Sequence, residues 1–317
     1  MLGIAAGMKD VIALGRGDPD FHTPKHICDA AKAAIDANEH HYTHPAGLPK
    51  LRAAISAHLT EEYGLDYTAD EVIVTAGTQE AVMLCMLALI EKGDEVLLPA
   101  PRFTSYDTAV TMCGGVVVDV PTVEETDNAL LPAEIEKRVT PKTKVLVLVT
   151  PNNPTFDGSE HLSIATLPGM RERTITLNGF SKSYAMTGWR VGYVAAPKEV
   201  ARKMVEPRHT LSINAATPSQ FAALAALTGP KEPVLAMARA YAERRAFMLA
   251  ALDRMGFTYG HPGGAFYVYT NVSRSGRAAP DFCETLLREA RVLVFPGTMF
   301  ADPGGKHVRI SLLQPLE

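Results

Sequence analysis

A lysine and an arginine lie eight residues apart in the stretch NGFSKSYAMTGWR (178–190), between the β-rich run TITL and the apolar run VGYVAA. Apart from Lys182, Arg190 and a few hydroxyl groups, this stretch is nearly apolar, whereas a surface turn usually carries Asp, Pro or several charges. A lysine held among apolar neighbours at the end of a strand is partly neutral and can form an imine with a carbonyl. An arginine presents a planar fork that suits a phosphate.

The segment TAGTQEA (75–81) joins a predicted strand to a predicted helix through small residues. The backbone N–H groups of Gly77, Thr78 and Gln79 would point out of the helix N-terminus, which attracts phosphate. A plain helix cap at Thr78 explains the same residues, and a solvated surface side chain explains Lys182 considered by itself. Pyridoxal phosphate carries an aldehyde and a phosphate, so it would use the lysine, the arginine and the helix terminus together. We therefore predict it as the cofactor.

The segment VTPNNPT follows another apolar run and places Asn153 at the carboxyl end of a predicted strand. Ligands of open α/β sheets bind at such strand ends. A simple turn is the alternative explanation of this Asn-Pro pair.

The elements that must position these residues alternate between strands and helices. Strand-like runs (EVIVTAG, EVLLP, GGVVVDV, KVLVLVT, RTITL) follow or flank helical stretches at 26–38, 48–63 and 78–94. Such alternation predicts a three-layer α/β domain with a mostly parallel sheet, which we place over residues 40–220. After Pro218 the chain turns to long helices and mixed short strands. Residues 1–39, as an N-terminal arm, and 221–317 are predicted to form a smaller α+β domain.

Composition narrows the class of protein. The 317 residues have a formal net charge of −4 and no long charged run, which argues against nucleic acid or a membrane surface as the partner. The longest apolar stretch has ten residues and the N-terminus lacks the pattern of a signal peptide, so we expect a soluble cytoplasmic protein. The cysteines lack metal-ligand spacing, so we expect free thiols and no metal site: Cys28, Cys85, Cys113 and Cys283.

Over essentially its whole length, the sequence resembles the class I/II aminotransferases, which are pyridoxal-phosphate enzymes of fold type I. The matching pieces come in family order: GRGDPDF, YTHPAGLPKLR, AGTQEA, PAPRFTSY, PNNPT, NGFSKSYAMTGWRVGY, GAFYVY and HVRIS. The resemblance implies an enzyme that moves an amino group from an L-amino acid to a 2-oxo acid by a ping-pong mechanism.

The resemblance also implies a role for each residue that matches a family motif. Lys182 would be the Schiff-base lysine, which also shuttles the proton at the substrate Cα. Arg309 would bind the substrate α-carboxylate as a bidentate pair, with the backbone N–H of Gly17 and the side chain of Asn153 assisting. Tyr42 would reach the cofactor phosphate of a neighbouring subunit, which implies a homodimer with shared active sites. The other implied cofactor contacts are Arg190, Gly77, Thr78 and Ser181 at the phosphate, Phe103 stacked on the pyridine ring and Asn153 at its phenolic oxygen.

One part of the family pattern is missing. The family holds the pyridine nitrogen with an Asp on a strand that precedes the lysine strand, but here NNPT runs directly into FDGSEHLS. Asp157 matches a loop beyond that strand and is a poor substitute. Adjacent parallel strands need a crossover, and a βαβ unit takes about thirty or more residues. We therefore predict that the natural chain carries that many additional residues between Thr155 and Phe156, and further residues beyond both ends of this sequence.

Other functions remain open at this level. The same scaffold supports pyridoxal-phosphate lyases and decarboxylases, and a non-catalytic cofactor-binding pseudoenzyme would follow if the deletion at Thr155 were genuine. An effector module of a transcription regulator is less consistent, since no helix-turn-helix precedes residue 40 and the charge is acidic. His44, Arg102 and Arg16 would each either face a substrate side-chain pocket or be solvated.

Overall fold

The structure is a computed structural model that describes residues 1–150, 161–302 and 304–316. Asn153, Asp157 and the predicted Thr155–Phe156 junction lie outside the described residues. The α-helices are, in chain order, α1 (Leu2–Ala5), α2 (Lys25–Asp36), α3 (Pro49–Tyr63), α4 (Thr78–Leu89), α5 (Ser105–Met112), α6 (Pro132–Glu136), α7 (Lys198–Ser212), α8 (Thr217–Thr228), α9 (Glu232–Met255) and α10 (Ala279–Ala290).

Most strands are shorter than the apolar runs that predict them, although β3 extends one residue beyond EVLLP. In chain order they are β1 (Ile12–Ala13), β2 (Val72–Thr75), β3 (Glu95–Ala100), β4 (Val116–Pro121), β5 (Thr143–Leu146), β6 (Thr176–Gly179), β7 (Gly192–Ala195), β8 (Thr258–Tyr259), β9 (Tyr267–Asn271), β10 (Val292–Leu293), β11 (Phe295–Pro296) and β12 (His307–Ser311). Among the described residues, no helix is both long enough and apolar enough to cross a membrane.

Local sequence signals set the ends of the helices that were predicted. The helix predicted over 48–63 is α3, which has Pro49 in its first turn and ends at Gly64, whose φ of 64° lies in the left-handed region. The helix predicted over 26–38 is α2, which buries Ile27, Ala31 and Ala34 on one face.

The described residues fall into two compact units. Unit 1 lies within Met1–Asp20, Glu91–Ser159 and Ala236–Glu317, and unit 2 lies within Phe21–Ile90 and Glu160–Leu235. Each unit contains its own sheets, which is why the division follows sheets rather than a single point along the chain. This division differs from the domain boundaries predicted near residues 40 and 220, and those boundaries stay a prediction.

Unit 2 has three layers. Its sheet has the order β2-β7-β6, and β7 runs antiparallel to both neighbours. Val72 and Val74 of β2 pack with α2, α3 and α8 on one face, while Ile73 packs with α4 and α7 on the other. Since successive side chains of a strand point to opposite faces, a strand covered on both faces reads as the continuous apolar run that the sequence contains.

Unit 1 contains the parallel part of the structure. Its sheet β4-β3-β5 is parallel throughout, and Val96, Leu97 and Leu98 of the central strand are fully buried. A four-stranded antiparallel sheet has the order β11-β12-β9-β8, and β1 pairs with β10. The predicted α/β class with parallel strands is confirmed, and antiparallel pairs occur at β7 and throughout the sheet β11-β12-β9-β8.

One predicted strand is displaced by tertiary contacts. The run RTITL predicts a strand from residue 173, yet residues 171–173 form a 3₁₀ turn and β6 begins at Thr176. The Arg171 guanidinium donates to Glu71 at 2.8 Å and lies 4.4 Å from the centre of the Tyr67 ring. These contacts hold Arg171 against residues a hundred positions away, which no local pattern encodes.

Candidate active site

The strand register of unit 2 brings three chain segments to one end of its sheet. Thr75 at the end of β2 and Gly179 at the end of β6 both pair with Gly192 at the start of β7. The connection 180–191 between β6 and β7 therefore begins and ends beside the turn that leads from β2 into α4. Lys182 and Arg190 both belong to this connection, which explains their spacing.

The N-terminus of α4 packs directly against Arg190. Gly77 caps this helix with a φ of 82°, and a Cβ at this position would lie 2.6 Å from Nη2 of Arg190. Only glycine allows both the backbone conformation and this close approach. The guanidinium adds its positive charge to the partial positive charge of the helix N-terminus, and both attract an anion such as phosphate.

Two further glycines leave room for Thr78 beside Arg190 and Gly77, because neither has a side chain. A Cβ at Gly179 would lie 2.6 Å from Oγ1 of Thr78, and a Cβ at Gly192 would lie 3.0 Å from the Thr78 nitrogen. Lys182 follows Gly179 by three residues, and Ser181 is half-buried between them. The structure thus places Gly77, Thr78 and Arg190 together, and this group of residues fits a phosphate.

A carboxylate that the sequence analysis missed completes the helix terminus. Glu80 accepts a hydrogen bond from the backbone N–H of Ala76 and one from the Ser212 hydroxyl, and Arg208 Nε lies 3.7 Å from it. An acidic residue at the third position of a helix is a known signal of the helix N-terminus. The segment TQE (78–80) could therefore have pointed to Glu80. Arg208 is fully buried, and this burial lowers the pKa of its guanidinium.

Unit 1 contains another candidate arginine, Arg309, which has few hydrogen-bond partners within the described residues. Arg309 lies between two aromatic rings, 4.2 Å from the Tyr267 centroid and 4.0 Å from that of Phe300. Its Nη2 donates to the carbonyl of Gly15 at 3.1 Å, whereas its buried Nε has no hydrogen-bond partner. Burial lowers the pKa of Arg309, but a guanidinium keeps its charge in proteins.

Arg309 forms no ion pair within the described part of the chain, so it can offer its fork to an external carboxylate. The alternation along β12 explains its direction, because Val308 and Ile310 are buried on the opposite face of the strand. Arg309 is therefore a half-buried cation that no described acid neutralises.

The N-terminal segment lies beside this arginine. A Cβ at Gly17 would lie 2.6 Å from the Tyr267 hydroxyl, and one at Gly15 would lie 2.7 Å from the Phe295 ring. The backbone N–H of Ser311 donates to the Leu14 carbonyl at 2.7 Å. The structure therefore brings Gly17 next to a ring that covers Arg309, and the predicted role of Gly17 in carboxylate binding stays a prediction.

The remaining candidates differ in their exposure and contacts. Phe103 and Tyr42 have relative exposures of 51% and 81%, and their roles stay predictions. Arg102 is buried and paired with Asp107 and with Asp119, the latter at 2.8 Å, so it is committed to structural contacts rather than solvated or open to a substrate.

His44 and Arg16 are exposed. The His44 ring accepts a hydrogen bond from the backbone N–H of Ala46 at 3.0 Å.

The described residues thus form an α/β protein whose unit 2 has a group of residues that fits an anion and whose unit 1 has an arginine that fits a carboxylate. The family of class I and II aminotransferases matches the chain over residues 9–159 and 156–315. The chain belongs to this family, whose members depend on pyridoxal phosphate, and it is an aminotransferase that transfers an amino group between an amino acid and a 2-oxo acid.

Named relatives agree with this assignment. The chain is 40% identical to an aspartate aminotransferase of Pyrococcus abyssi, with 98% of this chain and 89% of that protein covered. It is 37% identical to aromatic-amino-acid aminotransferase 2 of Thermococcus litoralis, with the same coverage. Among solved structures, an aromatic aminotransferase from Pyrococcus horikoshii matches with a TM-score of 0.93 and 37% identity, over 99% of this chain and 94% of that one.

Proposed function

We propose that this chain binds pyridoxal phosphate and that Lys182 carries it. The observation that supports the proposal best is the close approach of Arg190 to Gly77, which puts a guanidinium beside the N-terminus of α4. Lys182 lies on the same connection as this arginine. The other proposed cofactor contacts are Thr78, Ser181, Phe103, Asn153 and Tyr42.

When bound, pyridoxal phosphate supplies an electron sink that stabilises negative charge at the substrate Cα. The proposed work of the chain is to orient the substrate and to move one proton. Lys182, once its amine is free, takes the proton from Cα as a general base and returns it as a general acid.

Arg309 is proposed to bind the α-carboxylate of the amino acid and of the 2-oxo acid. Its planar fork supports a bidentate contact, and the two rings that cover it restrict its orientation. The backbone N–H of Gly17 is the proposed second donor. Holding the carboxylate fixes which bond of Cα is presented for cleavage, which is a contribution of orientation.

The active unit is proposed to be a homodimer in which Tyr42 contacts the cofactor phosphate of the partner subunit. The high exposure of this tyrosine supports the proposal, since a phenol with 81% of its surface free is available to a second chain.

Borohydride reduction tests the assignment of Lys182, because it makes the bond between a lysine and the cofactor aldehyde permanent. Peptide mass spectrometry of the reduced wild type should find the adduct on Lys182. Lys182→Ala should abolish both the adduct and transamination, whereas Lys198→Ala, an exposed lysine of unit 2, should retain both. An adduct on another lysine of the wild type would overturn the assignment.

A second measurement separates transamination from lyase or decarboxylase chemistry. After one turnover with aspartate or an aromatic amino acid, which are the substrates that the relatives are named for, added 2-oxo acid should restore the aldehyde form of the cofactor. Failure to restore it would favour the lyase alternative.

A further inference from the structure

A single hydroxyl group links two points of the connection between β6 and β7. Oγ1 of Thr23 donates to the carbonyl of Ala185 at 2.6 Å and accepts from the indole Nε1–H of Trp189 at 3.0 Å. The first contact joins residues 162 positions apart in the chain, and the second joins residues 166 positions apart. Thr23 has no assigned role in the cofactor or substrate contacts described above.

Both contacts fall next to residues that set the path of this connection. Ala185 has a φ of 51° and Arg190, directly after Trp189, has a φ of 50°. Residues other than glycine rarely adopt this left-handed conformation, and they keep it only where surrounding contacts enforce it. The N–H of Ala185 also donates to the carbonyl of Lys182 at 3.4 Å. Thr23 therefore contacts the connection between Lys182 and Arg190 at the places where support is needed.

Thr23 is itself held in a fixed position. Pro24 follows it and restricts its backbone, and α2 begins immediately afterwards. Ile27 and Ala31 anchor this helix in the core of unit 2, where Trp189 packs against the same cluster. The hydroxyl thus extends from a rigid helix start to the connection.

We propose that Thr23 is a positioning residue that keeps Arg190 against Gly77 and Lys182 in its place on the same connection. The inference rests on the proposed function, because it assumes that Arg190 binds the cofactor phosphate. It adds that the affinity of this anion site depends on a hydroxyl group outside it. Loss of the hydroxyl would leave the indole N–H and the Ala185 carbonyl without this partner and would release the connection.

The only tryptophan of the chain is Trp189, so its fluorescence reports on this contact directly. Thr23→Val keeps the shape of the side chain and removes the hydroxyl, and Thr23→Ser keeps the hydroxyl. Thr174→Val is a matched control, since Thr174 is also half-buried in unit 2 and donates to the Met170 carbonyl at 2.8 Å. Emission is measured without ligand, and dissociation constants are then measured for inorganic phosphate and for pyridoxal phosphate.

Thr23→Val is expected to shift the emission maximum of Trp189. It should also raise the dissociation constants of both ligands by about five- to tenfold, which is the effect of losing one or two hydrogen bonds. Thr23→Ser should restore both readouts, and Thr174→Val should change neither. Should Thr23→Val fail to fold, Trp189→Phe removes one of the two hydrogen bonds from its other end, and the absorbance of bound pyridoxal phosphate then reports the affinity.

Two results would overturn the inference, and they are distinguishable. If the wild type binds both ligands and Thr23→Val binds them equally tightly with unchanged emission, the positioning role of Thr23 is wrong and the proposed function stands. If the wild type binds neither phosphate nor pyridoxal phosphate, the proposed function is wrong and the inference fails with it.

Discussion

At the scale of single residues, the least expected feature is the charge of Arg309. Arg309 is half-buried and has no described acidic partner, and removing part of an unpaired charge from water is costly. Part of this desolvation cost is offset by the faces of the Tyr267 and Phe300 rings and by the hydrogen bond that Arg309 donates to the Gly15 carbonyl. The proposed binding of a substrate carboxylate would offset the remaining cost.

Replacing Arg309 should therefore damage substrate binding and spare the cofactor. We expect Arg309→Ala to lower kcat/KM by an amount equivalent to about 2–5 kcal/mol, since a desolvated bidentate contact is lost. Arg309→Lys should recover only part of it, because an ammonium cannot reproduce the planar fork. Steady-state kinetics and cofactor absorbance are the measurements, and Arg254→Ala, an exposed arginine of unit 1, is the control. Unchanged kcat/KM in Arg309→Ala would remove this residue from the substrate site.

At the scale of elements, β12 carries a histidine between two carboxylates. The ring nitrogens of His307 lie 3.2 Å from Asp302 and 3.3 Å from Glu124, and the ring stacks on Tyr269 at 4.9 Å. The hydrogen bond to Asp302, together with Glu124, raises the pKa of His307 above its ordinary value of 6.5. Burial alone would raise the pKa values of the two acids, but their hydrogen bonds outweigh it, and both pKa values are lowered.

These shifts predict how the cluster contributes to stability as pH changes. The contribution of His307 is complete below its ordinary pKa of 6.5 and is lost as pH rises through the raised value. The contributions of Asp302 and Glu124 are present above their ordinary values of 3.8 and 4.5 and are lost as pH falls through the lowered values. The cluster is therefore most stabilising between about pH 4.5 and 6.5.

His307→Gln should lower the free energy of unfolding most at about pH 5.5 and much less at about pH 9, since each pKa unit corresponds to about 1.4 kcal/mol. Denaturant titrations at both pH values measure this difference. His22→Gln, which replaces an exposed histidine outside this cluster, is the control. A pH-independent loss in His307→Gln would show that the ring acts through packing alone.

The predicted insertion between Thr155 and Phe156 also concerns an element. The alignment with the Pyrococcus abyssi enzyme has 347 positions but covers 98% of this chain, about 311 residues, so about 36 positions (347 minus 311) have no counterpart here. The family match also breaks into 9–159 and 156–315, at the predicted junction. Within the described residues, β5 pairs only with β3 and β6 pairs only with β7, so each keeps an open edge where a further strand would pair.

The intact mass of the natural protein tests this prediction. We expect a mass above the 34.2 kDa of the present sequence, with peptides that map between Thr155 and Phe156 and include an aspartate for the pyridine nitrogen. We expect an aspartate there because its charge would keep the pyridine nitrogen protonated, and a protonated pyridine ring accepts electrons from the substrate Cα far better than a neutral one. A tryptic peptide that crosses the junction unchanged would contradict the prediction and favour a pseudoenzyme.

At the scale of the whole molecule, the predicted homodimer has a functional test. Tyr42→Phe and Lys182→Ala subunits should each be impaired by themselves, because each lacks one residue of every shared site. Mixing them should regenerate some sites that contain both intact residues, and transaminase activity should rise. No recovery after confirmed subunit exchange, or a fully active monomer in sedimentation experiments, would contradict a shared site.

The sequence alone was sufficient for the features that depend on local pattern and on motif order. Periodicity and end signals predicted α2 and α3, continuous apolar runs predicted the buried strands, and the motif around Lys182 led to the family that the comparisons confirm. These features are readable because each depends on residues within one turn of a helix or one strand. The predicted roles of Asn153 and Tyr42 stay predictions.

Tertiary structure decided which distant residues meet. The register of β2, β6 and β7 brings Gly77 against Arg190, and packing brings Thr23 to Trp189. Neither contact has a local signature, because a glycine that admits a guanidinium and a threonine that holds a loop look like ordinary turn and cap residues in the sequence. Their chemistry depends on long-range strand pairing and on burial, and these arise only when the whole chain is folded.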